Sequence, residues 1–358
     1  MFTLATVMAL VLAFSVQISA TGSEHQNIAR ADPGCPQLPT SSGGRKIAIV
    51  VDSSGSNVDT DPSNLRVVAA KNLNSLLVSK GQASSGGQSD LVTVIDFDSS
   101  ASVIYSLGDP ATATSDKIDS SGGTNIASGV KAAIDELTKT QGDVTAGRSG
   151  IVVLTDGEDS SLKSLLAQLA NARNLGIRVA FGFLSPQPPS SASDLLKAIL
   201  DTGGVYSTIT SDRAQEDFVN LVVRHGLTGA DTSDSANGTT VLYPGLAVAA
   251  NVSSTSSPKS FTYSAQGGEN LNFSVNALSG QTLDVVLRDT KEAKDINKTS
   301  TNKSGNAELL YTASQAVDLA LDVTTTNATT GLFTVGFNSS AAGNRTNPCK
   351  PNLPGKNK

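Results

Sequence analysis

The chain has 358 residues, 26 Lys and Arg against 32 Asp and Glu, a net charge of −6 and 38% apolar residues. That length suits about two domains, each able to bury a core, and the composition is that of an ordinary globular protein. The acidic balance and the scarcity of basic clusters exclude nucleic acid and an anionic membrane surface as the main partner.

Residues 1–20 differ in kind from the rest: Leu4 to Phe14 is nearly all apolar, and Ile18-Ser19-Ala20 precedes the polar Thr21-Gly22-Ser23. This resembles a secretory signal peptide, although no Lys or Arg precedes the apolar run. The run is short for crossing a bilayer, no later segment is long enough, and Asn352 to Lys358 lacks the apolar tail of a lipid-anchor signal. The expectation is a secreted chain with no integral membrane segment, followed by an N-terminal arm over 21–44.

Residues 45–227 alternate strand and helix. Apolar runs predict strands at 46–52, 91–97, 102–107, 150–155, 178–184 and 204–208, with helices near 62–80, 124–139, 161–174, 192–201 and 212–225. The first helix has Asp61 as its N-cap, Pro62 at its first position, Leu65, Ala69, Leu73, Leu76 and Leu77 as its apolar face, and Lys80-Gly81 as its stop. Such alternation predicts an α/β fold, a doubly wound and mostly parallel sheet covered on both faces. The hairpin at 91–107 would form an antiparallel edge.

A D-x-S-x-S pattern occurs three times, at Asp52-Ser54-Ser56, Asp98-Ser100-Ser102 and Asp231-Ser233-Ser235. The second falls in a hairpin turn and the third in a polar linker. Only the first ends a buried strand before a helix, where open α/β sheets place their ligands. Thr124, in Gly122-Gly123-Thr124-Asn125, stands at a helix start, and Asp156 ends the buried run Ile151 to Thr155. Asp52, Ser54, Ser56, Thr124 and Asp156 together offer five oxygen ligands, a donor set that suits a hard divalent cation such as Mg²⁺. Taken singly, Ser54 and Ser56 also read as turn residues, Thr124 or Asn125 as a helix cap, and Asp156 as a turn residue before Gly157. Asp159 reads as the N-cap of the helix over 162–172, and Glu158 as a further carboxylate near the metal.

These three segments, in this order, resemble the von Willebrand factor A domain family. Its metal-ion-dependent adhesion site (MIDAS) uses a D-x-S-x-S, a distant threonine in a Gly-Gly-Thr-Asn-like loop and an aspartate in a Thr-Asp-Gly run. The resemblance implies a Rossmann-like fold, Mg²⁺ (with Mn²⁺ or Ca²⁺ as alternatives) at the upper rim of the sheet, and metal-dependent binding of an extracellular protein that presents an acidic residue. A structural extracellular protein with a fold-stabilising metal is the alternative.

Beyond a linker at 228–240 the pattern changes. Eight N-x-S/T sequons, at Asn237, Asn251, Asn272, Asn297, Asn302, Asn327, Asn338 and Asn344, all lie in this half, whereas residues 21–236 contain none. Leu271, Phe273 and Val275 share one face with Asn272 on the other, Phe333, Val335 and Phe337 repeat this against Asn338, and Val317, Leu319, Leu321 and Val323 alternate with Asp318 and Asp322. The alternation predicts an all-β antiparallel sandwich over 241–340, followed by a tail at 341–358. Gly268 to Ser339 resembles the prepeptidase C-terminal type of sandwich at the level of pattern. Cys35 and Cys349, the two cysteines, stand in Pro-rich flanks near opposite ends, and one disulfide between them is the simplest proposal in an oxidising compartment. Free thiols and an intermolecular bridge are the alternatives. The sequence sets no oligomeric state.

Enzyme chemistry finds little footing. His25 lies in the N-terminal arm and His225 ends a helix, neither at metal-ligand spacing, and neither H-E-x-x-H nor G-x-S-x-G occurs. Asp96-Phe97-Asp98-Ser99-Ser100 resembles the D-x-D-x-T nucleophile motif of haloacid dehalogenase-type phosphatases, but Ser100 replaces threonine and a strand follows where that family has a cap or helix. The chain is expected not to be an enzyme.

Overall fold

The computed structural model describes residues 44–83, 87–116, 118–140, 145–157, 159–184, 192–225, 227–229, 239–253, 257–325 and 331–341. The predicted signal peptide, Cys35, Cys349, Glu158 and the sequons at Asn237, Asn327 and Asn344 lie outside the described residues.

The first half runs β1 (Lys46–Asp52), α1 (Asn57–Thr60), α2 (Leu65–Ser75), β2 (Leu91–Phe97), β3 (Ala101–Gly108), α3 (Ile126–Thr138), β4 (Ser149–Thr155), α4 (Leu162–Asn174), β5 (Arg178–Phe183), α5 (Ala192–Asp201), β6 (Tyr206–Thr208) and α6 (Asp212–His225). Among the described residues of the second half the elements are strands: β7 (Thr239–Val241), β8 (Ala247–Val252), β9 (Lys259–Ala265), β10 (Asn270–Ala277), β11 (Leu283–Asp289), β12 (Lys294–Ser300), β13 (Asn306–Thr312), β14 (Val317–Thr325) and β15 (Gly331–Ser339). Among the described residues no helix is long and apolar enough to cross a membrane.

β1 pairs in parallel with β2 and β4, β4 with β5, and β5 with β6, while β2 and β3 form the antiparallel edge hairpin predicted from sequence. Buried parallel strands need apolar residues on both faces, and β1 supplies them. Ala48 and Val50 join the core under α3, α4 and α5, whereas Ile47, Ile49 and Val51 join the core under α2 and α6. Gly129 allows α3 to lie directly on the sheet, since a Cβ there would come within 2.8 Å of Val50 Cγ1.

The first helix differs from its prediction. The span 62–80 contracts to α2, and a short helical turn, α1, precedes it. Asp61 still serves the helix start, its two oxygens accepting the backbone N–H groups of Leu65 (2.6 Å) and Arg66 (3.1 Å), but Pro62 lies outside the helix. The chain leaves the helix early because the Asp90 carboxylate accepts the Val78 N–H at 2.8 Å while pairing with buried Arg45. The inward face is Arg66, Ala69, Ala70 and Leu73, whereas Leu65 and Leu76 are only partly buried.

The second half packs two sheets around Phe261, Phe273, Phe333 and Phe337. Its five-stranded sheet, β12-β11-β14-β9-β7, is antiparallel except for the parallel pair β7 and β9. Its other sheet is not separate: the order β13-β10-β15-β8-β6-β5-β4-β1-β2-β3 joins it to the first half as one ten-stranded sheet. The seam is the antiparallel pairing of β6 with β8 at Ser207 and Val248. β8 serves every layer, with Val248, Ala249 and Ala250 each entering a different core.

Asn251, Asn297, Asn302 and Asn338 are exposed. Asn272 is half-buried, donates to Glu308 Oε1 at 2.8 Å, and stands directly opposite Asn338 across β10 and β15.

Candidate metal centre

β1 and β4 are neighbours, and their carboxyl ends deliver Asp52 and Asp156 to the same rim. Strand order reverses about β1, since β2 lies on one side and β4 on the other, which opens a crevice at those ends. The loop before α3 completes the wall: Gly55 N–H donates to the Gly122 carbonyl (3.1 Å) and Ser121 N–H to the Ser53 carbonyl (2.6 Å). Gly122 has φ +78° and lies against Asp98, so a side chain there would be both strained and obstructed.

Asp52 is fully buried. One carboxylate oxygen accepts the Ser54 backbone N–H at 2.7 Å and the other the Thr155 hydroxyl. Burial pushes its carboxyl above the ordinary value, with the nearby Asp156 charge adding to the rise and the Ser54 and Thr155 hydrogen bonds opposing it. Ser54 Oγ lies 3.1 Å from Ser56 Oγ, and Ser56 Oγ lies 3.1 Å from Asp156 Oδ1. Thr124 packs beside Gly157, where a Cβ would meet its hydroxyl at 3.5 Å.

The donor set fits a hard divalent ion. Octahedral Mg²⁺ with bonds of about 2.0–2.1 Å has adjacent oxygens about 2.9–3.0 Å apart, and the Ser54, Ser56 and Asp156 oxygens stand at close to that spacing. The set contains two carboxylates and three hydroxyls, and among the described residues no group of three or more His, Cys, Asp and Glu forms a richer site. Accessibility is graded: Asp52 and Ser54 are buried, Thr124 is half-buried and Ser56 is exposed, so the site opens outward to solvent.

Several supporting residues escape the sequence reading. Thr155 holds Asp52 from the adjacent strand. Arg66, fully buried, donates to the Asp52 carbonyl (2.6 Å), Asp61 (2.8 Å), the Asp119 carbonyl (2.9 Å) and Ser120 (2.7 Å), so one guanidinium ties the end of β1 to the loop that carries Thr124. Thr60 sets its hydroxyl within reach of both the Ser56 carbonyl and the Asp156 carboxylate, and Asn57 donates to Ser54. Asp159 serves a helix other than the one predicted: it accepts the Ala127 N–H of α3 at 2.7 Å, while its second oxygen takes the Ser161 N–H beside α4. Asn125 caps α3 by accepting the Ser128 N–H at 3.0 Å, which leaves Thr124 outside the cap. The second D-x-S-x-S falls in the β2–β3 turn, where Asp98 accepts the Ser100 N–H.

Residues 47–158 match the von Willebrand factor type A domain family. Calcium-activated chloride channel regulator 1 of Equus caballus is 32% identical over 191 residues, a match covering 50% of this chain and 19% of that protein. The chain thus spans about a fifth of the length of the curated relative it matches. Among solved structures, proximal thread matrix protein 1 from the mussel byssus, with a zinc-occupied MIDAS motif, is similar at TM-score 0.40 and 21% identity, over 51% of this chain and 46% of that one. The pre-peptidase C-terminal domain of a Bacillus anthracis collagenase is similar at TM-score 0.25 and 13% identity, over 28% of this chain and 93% of that one.

Proposed function

We propose that this chain is a secreted, non-catalytic interaction protein that binds an extracellular protein ligand through a divalent cation at the rim formed by Asp52, Ser54, Ser56, Thr124 and Asp156. The observation that carries the reading is the run of oxygens at 3.1 Å spacing above a buried Asp52, open to solvent on the Ser56 side. Bound there, a cation such as Mg²⁺ supplies a Lewis-acidic coordination position that an aspartate or glutamate of the partner can fill.

The chain's own residues give that position its character. Neutral hydroxyls from Ser54, Ser56 and Thr124 leave the ion's charge mostly unspent, and two carboxylates retain it. Thr155 and the Ser54 N–H fix the Asp52 carboxylate in orientation, the kind of support that decides ligand geometry in metal sites. Arg66 holds the loops on either side of the cleft in register. The matched family and the apolar N-terminal run support a secreted binding role. Glycans on the sequon half and a Cys35–Cys349 clasp belong to the same reading.

The test is affinity capture by the purified chain from the surface or culture medium of the producing cells, with Mg²⁺ and with EDTA, alongside Asp52→Ala and Thr124→Ala. Metal-dependent capture lost in both variants is expected. Equal capture with and without metal, combined with a melting temperature that falls on chelation, would instead identify a metal that only stabilises the fold.

A further inference from the structure

The hydroxyls of the metal rim form a hydrogen-bonded chain with a direction. Asn57, the first residue of α1, is 1% exposed. Its side-chain amide donates to the Ser54 carbonyl at 3.1 Å and to Ser54 Oγ at 3.2 Å. Ser54 Oγ lies 3.1 Å from Ser56 Oγ, and Ser56 Oγ donates to Asp156 Oδ1 at 3.1 Å. A hydroxyl has one proton and two lone pairs. Ser56 gives its proton to Asp156, so the bond between the two serines is donated by Ser54. Asn57 Nδ2 then occupies one lone pair of Ser54, and the Ser54 proton occupies one lone pair of Ser56. One lone pair remains on each hydroxyl, the donor a hard cation takes. A Ser54 proton turned instead to the Asp52 carboxylate, which a Ser54 side-chain hydrogen bond also stabilises, leaves the same lone pair on Ser54.

The direction is set at the two ends of the chain. A carboxylate accepts and an amide nitrogen donates, so only a reversed Asn57 amide would present an acceptor to Ser54. The Ser54 carbonyl prevents that reversal, because Oδ1 in place of Nδ2 would stand 3.1 Å from the carbonyl oxygen, acceptor against acceptor. The fold gains little from the arrangement. Asn57 Oδ1 is buried and, among the described residues, has no hydrogen-bond partner, which costs stability. The Ser54 carbonyl is already served by the Asn57 backbone N–H at 3.2 Å.

We propose that Asn57 is a positioning residue of the metal rim: its side-chain amide fixes the direction of the chain through Ser54 and Ser56 to Asp156, so that each hydroxyl turns a lone pair toward the ion. This role rests on the divalent-cation site proposed above. Without the amide, the Ser54 proton is free to point into the cation's position, and binding must first turn it away.

The experiment is Mg²⁺ titration calorimetry of the full chain, with thermal unfolding in EDTA, for the wild type, Asn57→Leu, Ser54→Ala and the double variant. Asn57→Leu keeps the bulk of the side chain and removes both its donors and its unpartnered oxygen. Mg²⁺ affinity is expected to fall about 10–100-fold, the range for residues that orient metal ligands, while the unfolding midpoint in EDTA stays the same or rises. Asn57→Ala replaces the Leu variant if that fails to fold. Adding Asn57→Leu to Ser54→Ala should cost no further affinity, because Asn57 acts through the Ser54 hydroxyl. Unchanged affinity in Asn57→Leu, losses that multiply in the double variant, or an EDTA midpoint that falls with the affinity would each overturn the role and leave the metal site standing. A wild-type chain that takes up no Mg²⁺ would overturn the site, and the role with it.

Discussion

Arg66→Met separates the scaffold of the metal rim from the rim itself. The substitution keeps the apolar stem but removes every guanidinium contact, leaving the Asp61 carboxylate, 0% exposed, without its counter-charge and the Asp52 and Asp119 carbonyls without donors. Two backbone N–H groups still reach Asp61, so the carboxylate is not wholly abandoned. Removing one partner of a buried pair costs about 3–5 kcal/mol, a large share of the ~5–15 kcal/mol that holds a domain together. Urea unfolding in EDTA should report that loss, because the scaffold is independent of metal. Adding Asp61→Asn removes the stranded charge, and the double-mutant cycle should show coupling of about 0.5–3 kcal/mol. A loss under about 1 kcal/mol, the scale of a solvent-exposed pair, or additive single effects would refute the argument that Arg66 clasps the rim.

Ser56→Ala, at an exposed position, should leave stability in EDTA unchanged within about 0.5 kcal/mol while removing most of the Mg²⁺-dependent rise in melting temperature. Thr155→Val deletes the hydroxyl that orients Asp52 and should weaken Mg²⁺ about 10–100-fold by titration calorimetry, whereas unchanged affinity would show that Asp52 needs no such support. Tyr206 buries its hydroxyl with no hydrogen-bond partner among the described residues, and that burial raises its pKa, so Tyr206→Phe should be neutral or stabilise by up to about 1 kcal/mol in the same urea assay. Lys259 binds its proton less tightly folded than unfolded. The unfolded chain therefore holds more protons between the lowered native pKa and the ordinary value near 10.5, and stability contributed by this group rises with pH across that window. Lys259→Met should flatten that rise relative to wild type in pH-dependent urea melts.

The sequence carries the strands best. Continuous apolar runs such as Ile47 to Val51 and Ile151 to Leu154 have one physical use, a strand buried on both faces, and their ends place Asp52 and Asp156 on one rim. The site's outer parts are less legible because they depend on neighbours distant in the chain. Arg66 does leave a trace: at three, four and seven residues before Ala69, Ala70 and Leu73, it occupies the apolar face of α2, where a charge needs a buried partner. Thr155 leaves a fainter one, a polar residue beside Asp52 on the next strand, visible only once β1 and β4 are known to pair. Asp159 misleads because a carboxylate before a helix reads as its cap, yet it divides its two oxygens between the Ala127 N–H of α3, at 2.7 Å, and the Ser161 N–H before α4, at 2.6 Å. The union of the two halves into one sheet has no local signature, since pairing at Ser207 and Val248 is decided by tertiary packing and not by either residue's propensity.

That union bears on how the molecule carries force. A pull applied at the Asp52 rim and resisted at β13 crosses the ten-stranded sheet from strand to strand, loading its ladders sideways so that hydrogen bonds open in succession and not all together. The β6–β8 seam, where among the described residues only Ser207 and Val248 pair, is the place where such a load meets its thinnest ladder. At that seam the join rests on packing more than on the ladder, through Val248 and Ala249 in the two cores of the first half.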